Sequence, residues 1–339
     1  MKLTGKIIKI LANFYYVTDA ENKTWECFAR ARLLKEGKLL FVGDNVEIET
    51  SSSSQGVIVD LLGRKNKLMK PPISNIDQVL VIFSTCEPDF DYYNLDRYLS
   101  YIRYELANER IIICVNKIDL KKLDISKYYR DSGFDIFYIS ALTSDNLDIL
   151  ASNLVKKITV LTGPSGVGKS SLIKALAPHE NIHIGSVSAI KQGKHITRNV
   201  QLIAINHCSE KGFLADTPGF TQFSFAGLDP KKIKQTFNEL KSIECAFTDC
   251  LHNGEEGCIV DSKVSFERLE SYRKILEESR SEINYGSKEE TSIKYIGGDL
   301  GNKDKKKAIP KIDQETRAKS RKKQKQDLLK YNNEENDDI

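Results

Sequence analysis

The stretch KITVLTGPSGVGKSSLIKALA, residues 157–177, decides the fold. An apolar run comes first, then a glycine-rich turn, then a helical pattern. The turn Gly163-Pro164-Ser165-Gly166-Val167-Gly168-Lys169-Ser170 fits G-x-x-x-x-G-K-[ST]. The pattern needs these residue types for a physical reason. Glycines let successive backbone N–H groups converge on phosphate oxygens, and the start of the following helix adds partial positive charge. In such a loop Lys169 reaches the terminal phosphates and Ser170 ligates Mg²⁺, with Ser171 beside it at the helix start. A strand feeding a phosphate loop and a helix is the central unit of an α/β nucleotide-binding domain.

Upstream, RIIICVNKIDL (110–120) carries N-K-x-D at Asn116, Lys117, Ile118 and Asp119. A fixed Asp119 carboxylate can accept two hydrogen bonds from guanine, one from the ring N–H and one from the exocyclic amine. Adenine offers no such pair and would leave a buried charge unpaired, at a cost of about several kcal/mol. Asn116 and Lys117 would hold the loop and flank the base. Ser140 and Ala141 in YISAL (138–142) add a second guanine-site signature. GTP is therefore the expected nucleotide. Downstream, DTPG places Asp216 for a water-mediated contact to Mg²⁺ and Gly219 as a γ-phosphate sensor. Between phosphate loop and DTPG, GKHITRN (193–199) stands where a mobile switch belongs, with Thr197 as a Mg²⁺ ligand. His195 either approaches the attacking water or is solvated. After Gly219 comes Phe220, where Ras-like enzymes place a water-orienting Gln; an apolar ring cannot orient water, so slow intrinsic hydrolysis is expected.

The motifs run base reader, S-A loop, phosphate loop, switch, switch, which is the usual order cut and rejoined. A cut in a surface loop is tolerable because domain termini lie close together. Around this core the texture of the chain changes. Residues 1–65 hold five short alternating runs separated by turn-rich pieces, which predicts a small antiparallel, OB-type barrel that binds RNA or braces its neighbour. Residues 70–228 hold six continuous apolar runs, read as parallel strands covered on both faces, including VQLIAI (200–205) and GFLAD (212–216). Residues 229–284 are helical and contain Cys245-x₄-Cys250-x-His252-x₅-Cys258, a closed four-ligand set suited to one structural Zn²⁺. The remaining cysteines, Cys27, Cys86, Cys114 and Cys208, read as small buried thiols. Residues 285–339 are polar, with twelve basic against four acidic residues between Lys303 and Lys330, and disorder is expected there. The fold class is multidomain α/β.

The chain has 339 residues and a net charge of +4, too small a total to argue nucleic-acid binding by itself. It has no apolar run near the roughly 20 residues that span a bilayer, and no signal-peptide region is legible. A soluble, cytoplasmic chain with no membrane partner is the expectation.

With these motifs in this order, together with RKNKLMKPPISNIDQ (64–78), the sequence resembles the circularly permuted GTPases of small ribosomal subunit biogenesis, the ribosome small subunit-dependent GTPase A (RsgA) family. The resemblance covers about residues 1–280. It implies a barrel, a permuted GTPase domain and a zinc module. It also implies GTP hydrolysis to GDP and phosphate, stimulated by the small subunit during late maturation, with that subunit and its rRNA as partners of a monomer. His195 is implied as catalytic, though the family's His-Thr-Thr run here reads His195-Ile196-Thr197. Two other readings stay open: a GTP-regulated RNA-binding assembly factor, and a regulatory GTPase with a protein target.

Overall fold

The computed structural model describes residues 2–50, 54–178, 200–216 and 223–281, and the backbone of 293–296 and 307–310. Near the N-terminus, short runs with alternating burial form β1 (Lys2–Leu11), β2 (Phe14–Asp19), β3 (Thr24–Ala29), β4 (Asn45–Thr50) and β5 (Gln55–Leu61), with helix α1 (Ala31–Lys35) between β3 and β4. Each pairs with two neighbours in the cyclic order β1-β2-β3-β5-β4-β1, so the sheet closes as the expected barrel. Its interior is filled by Ile7, Val17, Cys27, Val46, Ile48 and Ile58, all 0% exposed. The pairing of β3 with β5 is parallel, which corrects the all-antiparallel expectation. Geometry requires this: direction cannot alternate all the way round a closed ring with an odd number of strands. Gly5 sits where β1 pairs with both Asp19 of β2 and Val46 of β4. A Cβ there would lie 2.5 Å from Val17 Cγ1, so only glycine admits this approach.

A ribbon of β6 (Lys67–Met69) and β7 (Pro72–Ser74) leads out of the barrel. Buried Asp44 clasps it: the carboxylate accepts from Arg64 Nε (2.6 Å) and Ser74 Oγ (2.6 Å). Then follow β8 (Gln78–Ser84), α2 (Tyr92–Glu105), β9 (Arg110–Asn116), β10 (Asp135–Tyr138), α3 (Leu147–Leu154), β11 (Ile158–Thr162), α4 (Lys169–Leu176), β12 (Gln201–His207) and β13 (Glu210–Asp216). The sheet order is β10-β9-β8-β11-β13-β12. All seven residues of β8 are buried, as a central strand covered on both faces requires. Its Val79, Val81 and Phe83 belong to one core with Leu95, Leu99 and Ile102 of α2. Leu80 and Ile82 face the opposite core, with Leu150 of α3 and Leu172 of α4.

One strand differs from the expectation. β12 runs antiparallel to β13 and joins β1 of the barrel through the pair Lys9↔Gln201. The reason is local. Cys208 and Ser209 have φ of 48° and 64°, and His207 pairs with Glu210. Two left-handed residues closing a two-residue connection make a hairpin, and hairpin strands must be antiparallel. The same turn exposes Cys208, and Cys86 is half-buried, so only Cys27 and Cys114 of the four scattered cysteines are the buried thiols expected.

The C-terminal helices are α5 (Pro230–Thr236), α6 (Asn238–Lys241) and α7 (Phe266–Arg280), with a 3₁₀ turn at Val260–Ser262. The Asp229 carboxylate caps α5 by accepting from the Lys231 N–H at 2.9 Å, and Pro230 opens it. Phe225, Ile233, Phe237, Leu269, Tyr272 and Ile275 form the core of this module. It docks on α2 through Tyr93, Tyr101 and Tyr104, which pack against this core, and through polar contacts. Arg268, 3% exposed, pairs with Asp96 of α2 and with Glu239 of α6, while the Tyr129 hydroxyl donates to Asp96 at 2.8 Å. Ser100 and Thr236 share a hydroxyl–hydroxyl bond of 2.7 Å. Within the stretch expected to be disordered, β14 (Ile293–Ile296) pairs antiparallel with β15 (Lys307–Pro310). The composition-based expectation averages over the whole tail and overlooks these short isoleucine-bearing runs. The other residues of that stretch lie outside those described.

Candidate functional site: a phosphate loop, a base reader and a Cys/His cluster

β11 delivers residues 163–168 at its carboxyl end, and α4 begins at Lys169. Two glycines are forced by close approach. Gly163 (φ 143°) would place a Cβ 2.1 Å from the Ile82 carbonyl oxygen, and Gly168 (φ 96°) would place one 2.3 Å from Asn116 Nδ2. Val167 points into the core, whereas Ser165, Gly166, Ser170 and Ser171 are exposed and Pro164 is half-buried. The Lys169 ammonium donates to the carbonyls of Gly163 (2.8 Å) and Pro164. Burial lowers its pKa, and the Asp216 carboxylate pulls in the other direction. Burial likewise raises Asp216, with Lys169 opposing. The two are neighbours because Asp216 ends β13, in register with Leu161 of β11.

The N-K-x-D turn stands at the end of β9, with β8 between that strand and β11. Asn116, 2% exposed at the end of β9, donates from Nδ2 to the Val167 carbonyl (2.9 Å) and accepts at Oδ1 from the Ala141 N–H (3.0 Å). One amide side chain thus ties the N-K-x-D turn, the phosphate loop and the S-A loop together. Lys117 has φ 66°, and its ammonium donates to the Glu87 carbonyl. The Ile118 N–H reaches the Ile139 carbonyl at 3.3 Å. Asp119 is exposed, and among the described residues its carboxylate makes no hydrogen bond or ion pair. Ser140 is buried, its hydroxyl accepting from the N–H groups of Leu142 (3.3 Å) and Thr143 (3.1 Å). These residues gather at the carboxyl ends of β9, β10, β11 and β13, where open α/β sheets bind ligands. His195, Thr197, Gly219 and Phe220 lie outside the described residues.

Away from this edge, Cys245, Cys250, His252 and Cys258 bring their ligand atoms within 4.8 Å of one another. His252 Nδ1 lies 3.5, 3.6 and 3.4 Å from the sulfurs of Cys245, Cys250 and Cys258, and Cys245 Sγ lies 3.7 Å from Cys258 Sγ. Tetrahedral zinc with ordinary bond lengths separates two sulfurs by about 3.8 Å and sulfur from nitrogen by about 3.6 Å. The donor set therefore fits zinc. A shell that the motif does not reveal holds the knuckle. Glu255 accepts from the N–H groups of Leu251 (3.0 Å) and Asn253 (2.6 Å). Lys234, Tyr272 and Arg273 donate to three successive carbonyls, those of Cys250, Leu251 and His252. These partners lie up to 21 residues away, so no local pattern marks them.

Beside the knuckle two adjoining open clefts of about 550 and 510 Å³ are lined by Lys231, Lys234 and Lys241 and by Arg103, Lys232 and Lys241 respectively. None of these five cations makes an ion pair among the described residues. Burial lowers Lys241, and the neighbouring Arg103 charge lowers it further. Among the described residues, no helix is long and apolar enough to cross a membrane.

Two family models match the chain: the RsgA N-terminal domain over residues 4–58 and the RsgA GTPase over 61–226. A protein of Bacillus cereus named small ribosomal subunit biogenesis GTPase RsgA is 38% identical over 291 residues, covering 81% of this chain and 97% of its own. Among solved structures, YjeQ from Thermotoga maritima superposes with a TM-score of 0.70 at 27% identity, covering 82% of this chain and 98% of that one. YloQ, described as a circularly permuted GTPase, gives 0.66 at 29%, covering 82% and 95%.

Proposed function

Because the chain belongs to the RsgA family of GTPases, hydrolases acting on GTP, we propose that it binds the small ribosomal subunit and hydrolyses GTP during that subunit's late maturation in the cytoplasm. The observation that carries the reading is the Asn116 junction, which brings a guanine-reading turn and a phosphate loop to one sheet edge. In this reading Asp119 recognises guanine, Asn116 and Lys117 hold its turn, and Ile118, Ser140 and Ala141 complete the base pocket. Residues Gly163 to Ser171 cradle the phosphates. Lys169 exchanges the Gly163 and Pro164 carbonyls for phosphate oxygens when nucleotide binds. Mg²⁺ carried with GTP would be held by Ser170 and Thr197, and through water by Asp216, and would supply charge neutralisation to the phosphates. Water then attacks the γ-phosphorus, the bond to the β–γ bridging oxygen breaks, and GDP and phosphate leave. Gly219 senses the γ-phosphate and His195 orients the water once docking orders its loop, which is positioning catalysis.

Residues 1–65 serve as an RNA-binding barrel, 70–228 as the GTPase, 229–284 as the zinc module and 285–339 as a charged tail of a monomer. The cleft cations support contact with the phosphodiester backbone of rRNA, since five positive groups that form no ion pair among the described residues line the two adjoining clefts and attract a polyanion. Cosedimentation tests the partner. The chain loaded with a non-hydrolysable GTP analogue should pellet with small subunits and not with large ones. Equal pelleting with both, or with neither, would refute the assignment.

A further inference from the structure

Thr85 belongs to no motif, yet it touches two residues of the base-reading turn. It follows β8 and is 1% exposed. Its N–H donates to the Asn116 carbonyl at 3.0 Å, and its hydroxyl donates to the Lys117 carbonyl at 2.8 Å. Lys117 is held at φ 66°, a left-handed conformation that costs a non-glycine residue roughly 1 kcal/mol or more and persists only where its surroundings enforce it. The Lys117 carbonyl also accepts from the Leu120 N–H at 3.1 Å, which closes the turn on which Asp119 stands. The segment after Thr85 reaches the other parts of the site. The Glu87 carbonyl accepts from the Lys117 ammonium, and Ser84 Oγ fixes the Pro88 carbonyl at 2.8 Å. Pro88 Cδ lies 3.4 Å from where a Cβ on Gly166 would stand, so this segment backs the phosphate loop as well.

We propose that Thr85 is a positioning residue for guanine recognition: its hydroxyl pins the Lys117 carbonyl, and thereby the turn that presents Asp119. The inference rests on the reading of Asp119 as the base reader. A turn free to shift would keep one carboxylate–guanine bond and lose the other, so the exocyclic amine would cease to be recognised before the ring N–H. Without the hydroxyl the Lys117 carbonyl keeps the Leu120 N–H as partner, so the fold survives the change.

The test compares the full chain with Thr85→Val, which keeps the shape and removes the hydroxyl, Thr85→Ser, which restores it, and Asp119→Asn. Dissociation constants for GDP and for IDP, whose base lacks the exocyclic amine, are read beside Tm and saturated GTP turnover. Thr85→Val should weaken GDP about tenfold, the worth of one well-aligned hydrogen bond, and IDP much less. The GDP/IDP preference should therefore shrink severalfold, kcat should stay within about twofold, and Thr85→Ser should restore the preference. An unchanged GDP/IDP preference in Thr85→Val overturns the proposal, whether or not Tm falls, provided Asp119→Asn weakens GDP. If Asp119→Asn leaves GDP binding intact, the base reading falls and this inference with it.

Discussion

Asn116 is the side chain on which most of the nucleotide site converges. Its amide uses a donor on Val167 and an acceptor on Ala141, in a position 2% exposed. Asn116→Ala leaves a buried carbonyl and a half-buried N–H without these partners, at a cost of about 1–3 kcal/mol each. Urea denaturation should show that loss, and GTP affinity should fall by about 100-fold as three loops lose their common tie. Asp119 acts differently. Asp119→Asn should weaken GTP and favour xanthosine triphosphate, whose extra carbonyl can accept from the new amide; unchanged GTP affinity would remove the base-reading role. Both residues were legible in the sequence because their chemistry is carried by a contiguous signature. Thr85 was not, because its partner Lys117 lies 32 residues away and nothing local announces the pairing.

Among the elements, periodicity identified all five barrel strands and the strand–loop–helix unit at 158–176, because burial on one face or both leaves a direct trace in residue order. Strand direction was less legible. The β12–β13 hairpin turns on Cys208 and Ser209, neither of them a residue that usually advertises such a turn. The Cys/His cluster was legible as a candidate zinc site, while Tyr272 and Lys234 carry no local signal, because α5 and α7 clamp the knuckle from a distance in sequence. Cys250→Ser should release the metal and raise protease cleavage beyond Pro230, with GDP affinity nearly unchanged, because metal binding and local folding are coupled. Metal analysis with limited proteolysis checks this, and absence of zinc from the freshly purified chain would contradict it. The dock between module and α2 is sensitive at Arg268. Arg268→Ala leaves Asp96 buried with only hydroxyl donors, and stability should fall by about 3 kcal/mol in urea denaturation.

At the scale of the molecule, the inverted motif order changes what lies beyond the D-x-x-G segment. After Asp216 the described chain resumes at Phe223, whose ring stacks on Tyr101 at 4.6 Å and meets Tyr98 edge-on at 5.0 Å, both on α2. Two residues on, Phe225 is 0% exposed in the core of the zinc module. Arg97 of α2 lies over both phenylalanine rings and pairs with Glu278 of α7. The D-x-x-G segment is thus followed, a few residues on, by an anchor shared between the GTPase domain and the module that would grip RNA. Phe223→Ala should loosen that anchor, lowering subunit-stimulated turnover severalfold while basal turnover stays the same. The central claim is that this GTPase answers to the small ribosomal subunit, and steady-state GTP turnover measured alone, with purified small subunits and with purified large subunits tests it most directly. The account predicts slow turnover alone, acceleration of about tenfold or more by small subunits, consistent with ordering a group already present in the chain, and none by large subunits. Fast turnover by the isolated chain, or equal acceleration by both subunits, would contradict it.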